Sequence, residues 1–209
     1  MTTRLLILGA TGPTGALLLD RALAARHEVT ALVRDPTRLT RSDPRLTVVS
    51  GDATSDADVS RAAMGADAAL VALGSGRSVR SQIASRSAAA LIPALRAQGV
   101  DRVVVLSAFG VGETERQAGL LMRSAYRTVM RQLFADKAKA DAAWRASGLD
   151  WTLVYPVTLT NGPRTGTYRA VPALRARGVP RISRADVADF MLAQIDDTAW
   201  SGRTAVLAG

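Results

Sequence analysis

The chain has 209 residues, with 27 Lys+Arg against 18 Asp+Glu, one His, no Cys and 48% hydrophobic residues. That length suits one domain with a sizeable core. The lack of Cys excludes disulfides, thiolate metal sites and cysteine nucleophiles, and a lone His27 leaves no His cluster for a metal. The longest apolar runs, Leu5 to Ala10 and Ala68 to Leu73, are far shorter than the roughly 18 residues of a membrane span. The N-terminus runs straight into a glycine motif with no cleavable apolar region, so a cytoplasmic protein is expected.

The formal net charge of +9 is unevenly spread. From Arg116 to Arg181 there are twelve basic residues and three acidic ones, and aromatics make up only 4% of the chain. So few rings cannot build a base-stacking platform. The excess charge therefore points to an anionic small molecule and away from nucleic acid, with the protein a monomer or homodimer.

Short apolar runs alternate with helical segments, the pattern of an α/β fold: a single doubly wound parallel sheet with helices on both faces. Leu5 to Leu8 reads as the first strand, Ala16 to Ala25 as a helix and Val29 to Val33 as the second strand. Leu46 to Val49 is the third strand, and Thr54-Ser55-Asp56 caps a helix through Met64. Ala68 to Leu73 forms the fourth strand, Ser78 to Gln98 a long helix closed by Gly99, and Val103 to Leu106 the fifth strand. A long polar-to-helical stretch, Glu113 to Ser147, leads to the sixth strand at Trp151 to Tyr155. Irregular loops with a short strand at Thr167 to Val171 follow, then a helix from Arg184 to Ile195 and an edge strand at Thr204 to Leu207.

Gly9, Thr11, Gly12, Pro13, Thr14 and Gly15 lie between the first strand and the first helix. In that place glycines let the backbone turn tightly against a pyrophosphate, and the helix N-terminus offers unpaired N–H groups. At the end of the second strand stand Arg34, Asp35 and Arg38. Arg34 and Arg38 suit the 2′-phosphate of NADP(H), whereas Asp35 would suit the ribose hydroxyls of NAD. Asp52, next to Ala53, either accepts from the adenine amino group or caps the following turn. Leu73, Gly74 and Ser75 after the fourth strand, and Ser107 after the fifth, lie where the rest of a dinucleotide would run. Pro156 and Val157 occupy the corresponding place after the sixth. The segments 107–131 and 157–181 form the expected substrate region.

These residues resemble the atypical short-chain dehydrogenase/reductases, in the NAD(P)-binding NmrA-like group. The similarity runs through the glycine motif, Gly51-Asp52, Ser107-Ala108-Phe109, Ser147 to Thr152 and Ile182 to Ala188. It is nearest to the biliverdin-IXβ reductase/flavin reductase branch, through similar size and Thr165-Gly166-Thr167-Tyr168. The resemblance implies an NADPH-dependent reductase of a flavin, bilin or quinone. Its alternatives are an NmrA-type redox sensor and an isomerase or quinone reductase on the same fold. It also makes Lys137 a candidate proton donor beside Ser107; the other reading of Lys137 is a helix surface charge. Two departures stand out. No Tyr is followed four residues later by Lys, and the His that bilin reductases carry after the sixth strand is absent from Tyr155-Pro156-Val157-Thr158.

Overall fold

The computed structural model describes residues 2–74, 81–112, 114, 130–175 and 178–209. Strands β1 (Arg4–Leu8), β2 (Glu28–Val33), β4 (Ala68–Val71) and β5 (Arg102–Leu106) are dominated by Val, Leu, Ile and Ala, most of them buried. Such nearly continuous apolar runs fit strands covered on both faces. With β3 (Leu46–Ser50), β6 (Asp150–Pro156), β8 (Arg169–Val171) and β10 (Arg203–Ala208) they form one sheet in the order β3-β2-β1-β4-β5-β6-β10-β8. All pairs are parallel except β10 with β8.

Five helices accompany the sheet among the described residues: α1 (Pro13–Ala24), α2 (Asp56–Ala63), α3 (Ile83–Ala97), α4 (Arg131–Arg145) and α5 (Arg184–Ala193). Helix α1 packs on α5, while α3 packs between α2 and α4. Right-handed crossovers put helices that lead outward from β1 and β4 in opposite directions on opposite faces. The strand order therefore reverses between β1 and β4, and a crevice opens there at the carboxyl ends of the strands.

Several elements differ from the sequence expectation. Helix α1 begins at Pro13 rather than Ala16, because proline is pre-organised for the first helical position behind Gly12. The third helix begins at Ile83 among the described residues, not at Ser78, and Asp136 of α4 supplies its cap. The last helix ends at Ala193 instead of Ile195. The final strand is not an edge: β10 lies between β6 and β8, and β8 takes the edge. A short parallel pair, β7 (Thr158–Thr160) with β9 (Arg181–Ser183), occupies the region read as loops. Each strand has a single apolar residue, Leu159 or Ile182, between polar ones, too short a pattern to mark it.

Candidate cofactor and active site

The glycine loop is shaped by its own backbone. Gly9 sits at φ +85°, and a Cβ there would be forced onto the carbonyl oxygen of Ala72. A Cβ on Gly15 would meet the Gly9 carbonyl in the same way. The Gly12 N–H donates to the Gly9 carbonyl (2.8 Å), closing the turn just before Pro13 starts α1. Thr14 and Gly15 are buried, whereas Thr11 and Pro13 lie toward the opening of the turn. The result is a helix N-terminus aimed at the crevice between β1 and β4, with the geometry an anionic pyrophosphate needs.

Past β2, Arg34 and Arg38 are both exposed and carry no salt bridge within the described residues. Asp35 is occupied: its Oδ1 accepts from the N–H (3.1 Å) and hydroxyl (2.6 Å) of Thr37, capping a single 3-10 turn from Pro36 to Arg38. Those bonds, the Thr37 hydroxyl first, hold the Asp35 carboxyl below the usual range. Asp35 is thus turned into its own loop, and Arg34 and Arg38 on either side of it in sequence are left exposed.

Asp52 behaves similarly. Its Oδ1 accepts from the N–H (2.8 Å) and hydroxyl (2.9 Å) of Thr54, which lowers its pKa, aided by the positive charges of Arg34 and Arg86. Its Oδ2 takes no hydrogen bond from the described residues and is free to meet an amino group. Ala53 beside it is buried. Arg86 on α3, whose guanidinium approaches the Thr54 hydroxyl at 3.4 Å, was not anticipated. Nothing in its local sequence marks it, because only the packing of α3 against α2 brings it here.

The opposite end of the crevice holds a cluster of buried polar side chains. Ser107 follows β5 and is fixed by its N–H bond to the Val154 carbonyl (2.8 Å). Pro156 and Val157 close the same edge from β6, with Val157 N–H bonded to Leu207. A cleft behind them is lined by Leu73, Val105, Ser107, Lys137, Asp141 and Trp144. Lys137 and Asp141 are one turn apart on α4 and so share a face. Asp141 is 1% exposed, and its Oδ2 accepts from both the Ser107 hydroxyl (2.8 Å) and the Tyr155 hydroxyl (2.7 Å). Arg145 in turn donates to the Tyr155 oxygen (3.2 Å).

Lys137 is therefore not a free surface charge but a partly buried cleft residue. Burial pulls its ammonium below the usual lysine range, against the attraction of Asp141 and Asp136. Burial likewise raises the Asp141 carboxyl, opposed by the bonds from Tyr155 and Ser107 and by the charges of Lys137 and Arg145. Tyr155 is pushed well above the ordinary phenol range by burial and by the adjacent Asp141. Asp136, next to Lys137, accepts from the N–H groups of Ala84 (3.0 Å) and Ser85 (3.3 Å) and from the Ser85 hydroxyl. This carboxylate at the N-terminus of α3 locks α3 to α4 and so sets where Lys137 stands.

Ser107, Lys137 and Leu73 thus line one cleft past β5, while Arg34 and Arg86 stand near Asp52 at the other end of the crevice. Ser75 and the basic residues Arg116, Arg123, Arg127 and Arg177 lie outside the described residues, as does most of segment 107–131. Asp141 and Tyr155 were missed as site residues; the spacing of Lys137 and Asp141 was the available signal.

A family profile described as NAD(P)H-binding matches residues 9–198. The chain belongs to this NAD(P)H-binding family. Among curated relatives, a Bacillus subtilis protein named as the uncharacterized sugar epimerase YhfK is 31% identical over 144 residues, 67% of this chain and 62% of that one. The chain spans less than two thirds of the length of the curated relatives it matches first. Among solved structures, ChuY from Escherichia coli O157:H7, titled an anaerobillin reductase, aligns at TM-score 0.82 and 24% identity over 99% of this chain and 97% of its own. A Veillonella parvula short-chain dehydrogenase/reductase in complex with NADP aligns at 0.86 and 19% over 100% and 95%. These structures share the fold, and the NAD(P)H-binding family match covers both the glycine loop and the Lys137 cleft. No helix among the described residues is long and apolar enough to cross a membrane.

Proposed function

We infer that the protein is an NADPH-dependent reductase acting on a flavin or similar conjugated anionic molecule, such as a bilin. The single observation that carries this reading is the small cleft past β5, where Lys137 lies with Ser107, Asp141 and Leu73. Free Arg34 and Arg38 beside an Asp35 already engaged with Thr37 support NADPH over NADH.

The residues fit such a cofactor. The α1 N-terminus would hold the pyrophosphate, Arg34 and Arg38 the 2′-phosphate, Asp52 the adenine, and Leu73, Gly74, Pro156 and Val157 would border the nicotinamide. When bound, the cofactor supplies a hydride. The remaining work falls to the chain. Leu73, Val105 and Trp144 wall the cleft with apolar surface beside Lys137. Lys137 would offer a positive charge where negative charge builds on the acceptor, and burial, which pulls its ammonium below the usual lysine range, makes its Nζ readier to give up a proton.

Alcohol oxidation, and epimerisation through a ketone, need a base that takes the hydroxyl proton as the carbon gives up its hydride. Leu133 occupies the position one turn before Lys137, and Tyr155 gives its proton to Asp141 with a raised pKa. Neither supplies the low-pKa phenol that such a base would be. A reductase needs no such group, because hydride passes to an acceptor that is already electrophilic.

The decisive experiment follows NADPH oxidation with FMN, riboflavin, a bilin and a quinone as acceptors, against matched NADH controls. Turnover with one acceptor and NADPH preference supports the reading. Tight NADPH binding without any oxidation would replace it with an NmrA-type sensor.

A further inference from the structure

The outward side of α1 carries a cavity that the dinucleotide crevice does not use. Between α1, the loop 161–164 after β7 and the start of α5 lies an open groove of about 820 Å³, within the size range of small-molecule sites. Pro13, Ala16, Leu17, Pro163 and Ala185 give it an apolar lining. Of the glycine turn only Pro13 reaches it; Gly9, Thr11, Gly12 and Gly15 do not line it.

The charges of the groove are one-sided. Arg21, Arg164 and Arg184 line it, and Asp20 is the one lining carboxylate among the described residues. Both Asp20 oxygens are already taken by Arg41, at 2.6 Å each. Arg21 Nη1 and Arg164 Nε lie 2.6 Å and 2.9 Å from one oxygen of Asp189, which does not itself line the groove. A single carboxylate thus fixes two guanidiniums and balances the charge of one. Arg184 Nη1 donates to the Asn161 side-chain oxygen (2.6 Å), a neutral partner that orients the cation and leaves its charge uncompensated. The Nη pair of Arg164 has no partner among the described residues and keeps the planar fork that matches an acidic group. Guanidiniums held in this way have lost part of their rotamer freedom before a ligand arrives, so less is lost on binding.

We propose that this groove is a second ligand site, separate from the dinucleotide crevice, for a small amphipathic anion: its apolar body lies along α1 and its acidic group meets Arg164 and Arg184. The apolar lining supplies buried area and the guanidiniums select the charge. A neutral apolar molecule gains only the first, and an inorganic anion only the second. The site stands apart from the reductase reading, since neither hydride donor nor acceptor contributes to it.

The test titrates the protein, with and without saturating NADP, with 8-anilinonaphthalene-1-sulfonate and with neutral N-phenyl-1-naphthylamine, both read by fluorescence. One saturable sulfonate site is expected, equally strong with and without NADP. Replacing both Arg164 and Arg184 by Ala should weaken the sulfonate about tenfold and the neutral probe less than about twofold, with NADPH affinity unchanged. Ala16→Trp, which fills the apolar floor, should weaken both probes. Displacement of the sulfonate by NADP overturns the proposal, because the probe then occupies the crevice. So does sulfonate binding that the arginine variant leaves unchanged or that never saturates, the behaviour of a diffuse basic surface. A dimer in sedimentation velocity that Ala16→Trp dissociates also overturns it, since a second copy of the chain would then cover the groove.

Discussion

Replacing Arg34 by Ala tests the cofactor end of the site directly. Arg34 is exposed at the end of β2 and holds no carboxylate partner among the described residues, so its removal breaks nothing in the fold. A guanidinium bonded to a phosphate makes a charge-assisted contact worth about 1.5–3 kcal/mol. Exposure to solvent and salt places Arg34 at the lower end. About 1.5 kcal/mol corresponds to roughly tenfold in Kd, so NADPH should bind about tenfold more weakly while NADH binding stays within about twofold. Titration of intrinsic fluorescence with each nucleotide, at two salt concentrations, separates the effects. The NADPH loss should shrink at high salt, where wild-type affinity has already fallen. Equal loss for both nucleotides would mean that Arg34 meets the shared part of the dinucleotide. No loss for either would refute the 2′-phosphate assignment.

Lys137→Met keeps the length and removes the charge; kcat with a confirmed acceptor should fall by about 10²-fold or more, with NADPH Kd little changed, as single-turnover kinetics can show. Gly15→Ala drives a methyl onto the Gly9 carbonyl, so NADPH affinity should collapse and the melting temperature should drop by several degrees. Asp186 accepts from Thr165 N–H and Gly166 N–H, and from the hydroxyls of Thr165 and Ser183. Burial opposes its ionisation, yet these bonds outweigh it and hold the carboxyl below the usual range. Its contribution is thus present above the unfolded-state pKa of about 4 and is lost as pH falls through the lower folded value. Asp186→Ala should cost about 2–4 kcal/mol at neutral pH in urea unfolding, with the wild-type advantage narrowing toward pH 3.

Most of the fold was legible because parallel strands covered on both faces must be apolar throughout, and five of the six strands from Leu5 to Tyr155 announce themselves that way. β3 is the exception, an edge strand with Val48 39% exposed, and it was found from its β-branched residues. The glycine loop was legible for a stronger reason: Gly9 and Gly15 are demanded by backbone atoms, so the spacing is written in the residues themselves. What could not be read was anything set by distant packing. β10 reads as a lone strand, and only its pairing with both β6 and β8 makes it interior. Arg86 reaches the adenine end only because α3 lies against α2.

Lys137 shows where local reading ends and packing begins. Taken alone, Ala-Asp-Lys-Ala-Lys-Ala is an ordinary charged helix, in which a surface lysine is the economical interpretation. Two carboxylates reverse that interpretation, and each works at a distance in sequence. Asp136 reaches 52 residues back to Ala84 and pins α4 against α3. Asp141 reaches 34 residues back to Ser107 and joins the helix to the end of β5. With α4 tied at both points, the face between them must look into the crevice, and Lys137 is the residue on that face. The same two anchors explain why Lys139, two positions on, is exposed: a shift of two residues is about 200° around the helix and turns the side chain outward. A site built in this way depends on the helix's registration against the sheet. Loss of either anchor should therefore impair the chemistry of Lys137 before it unfolds the protein.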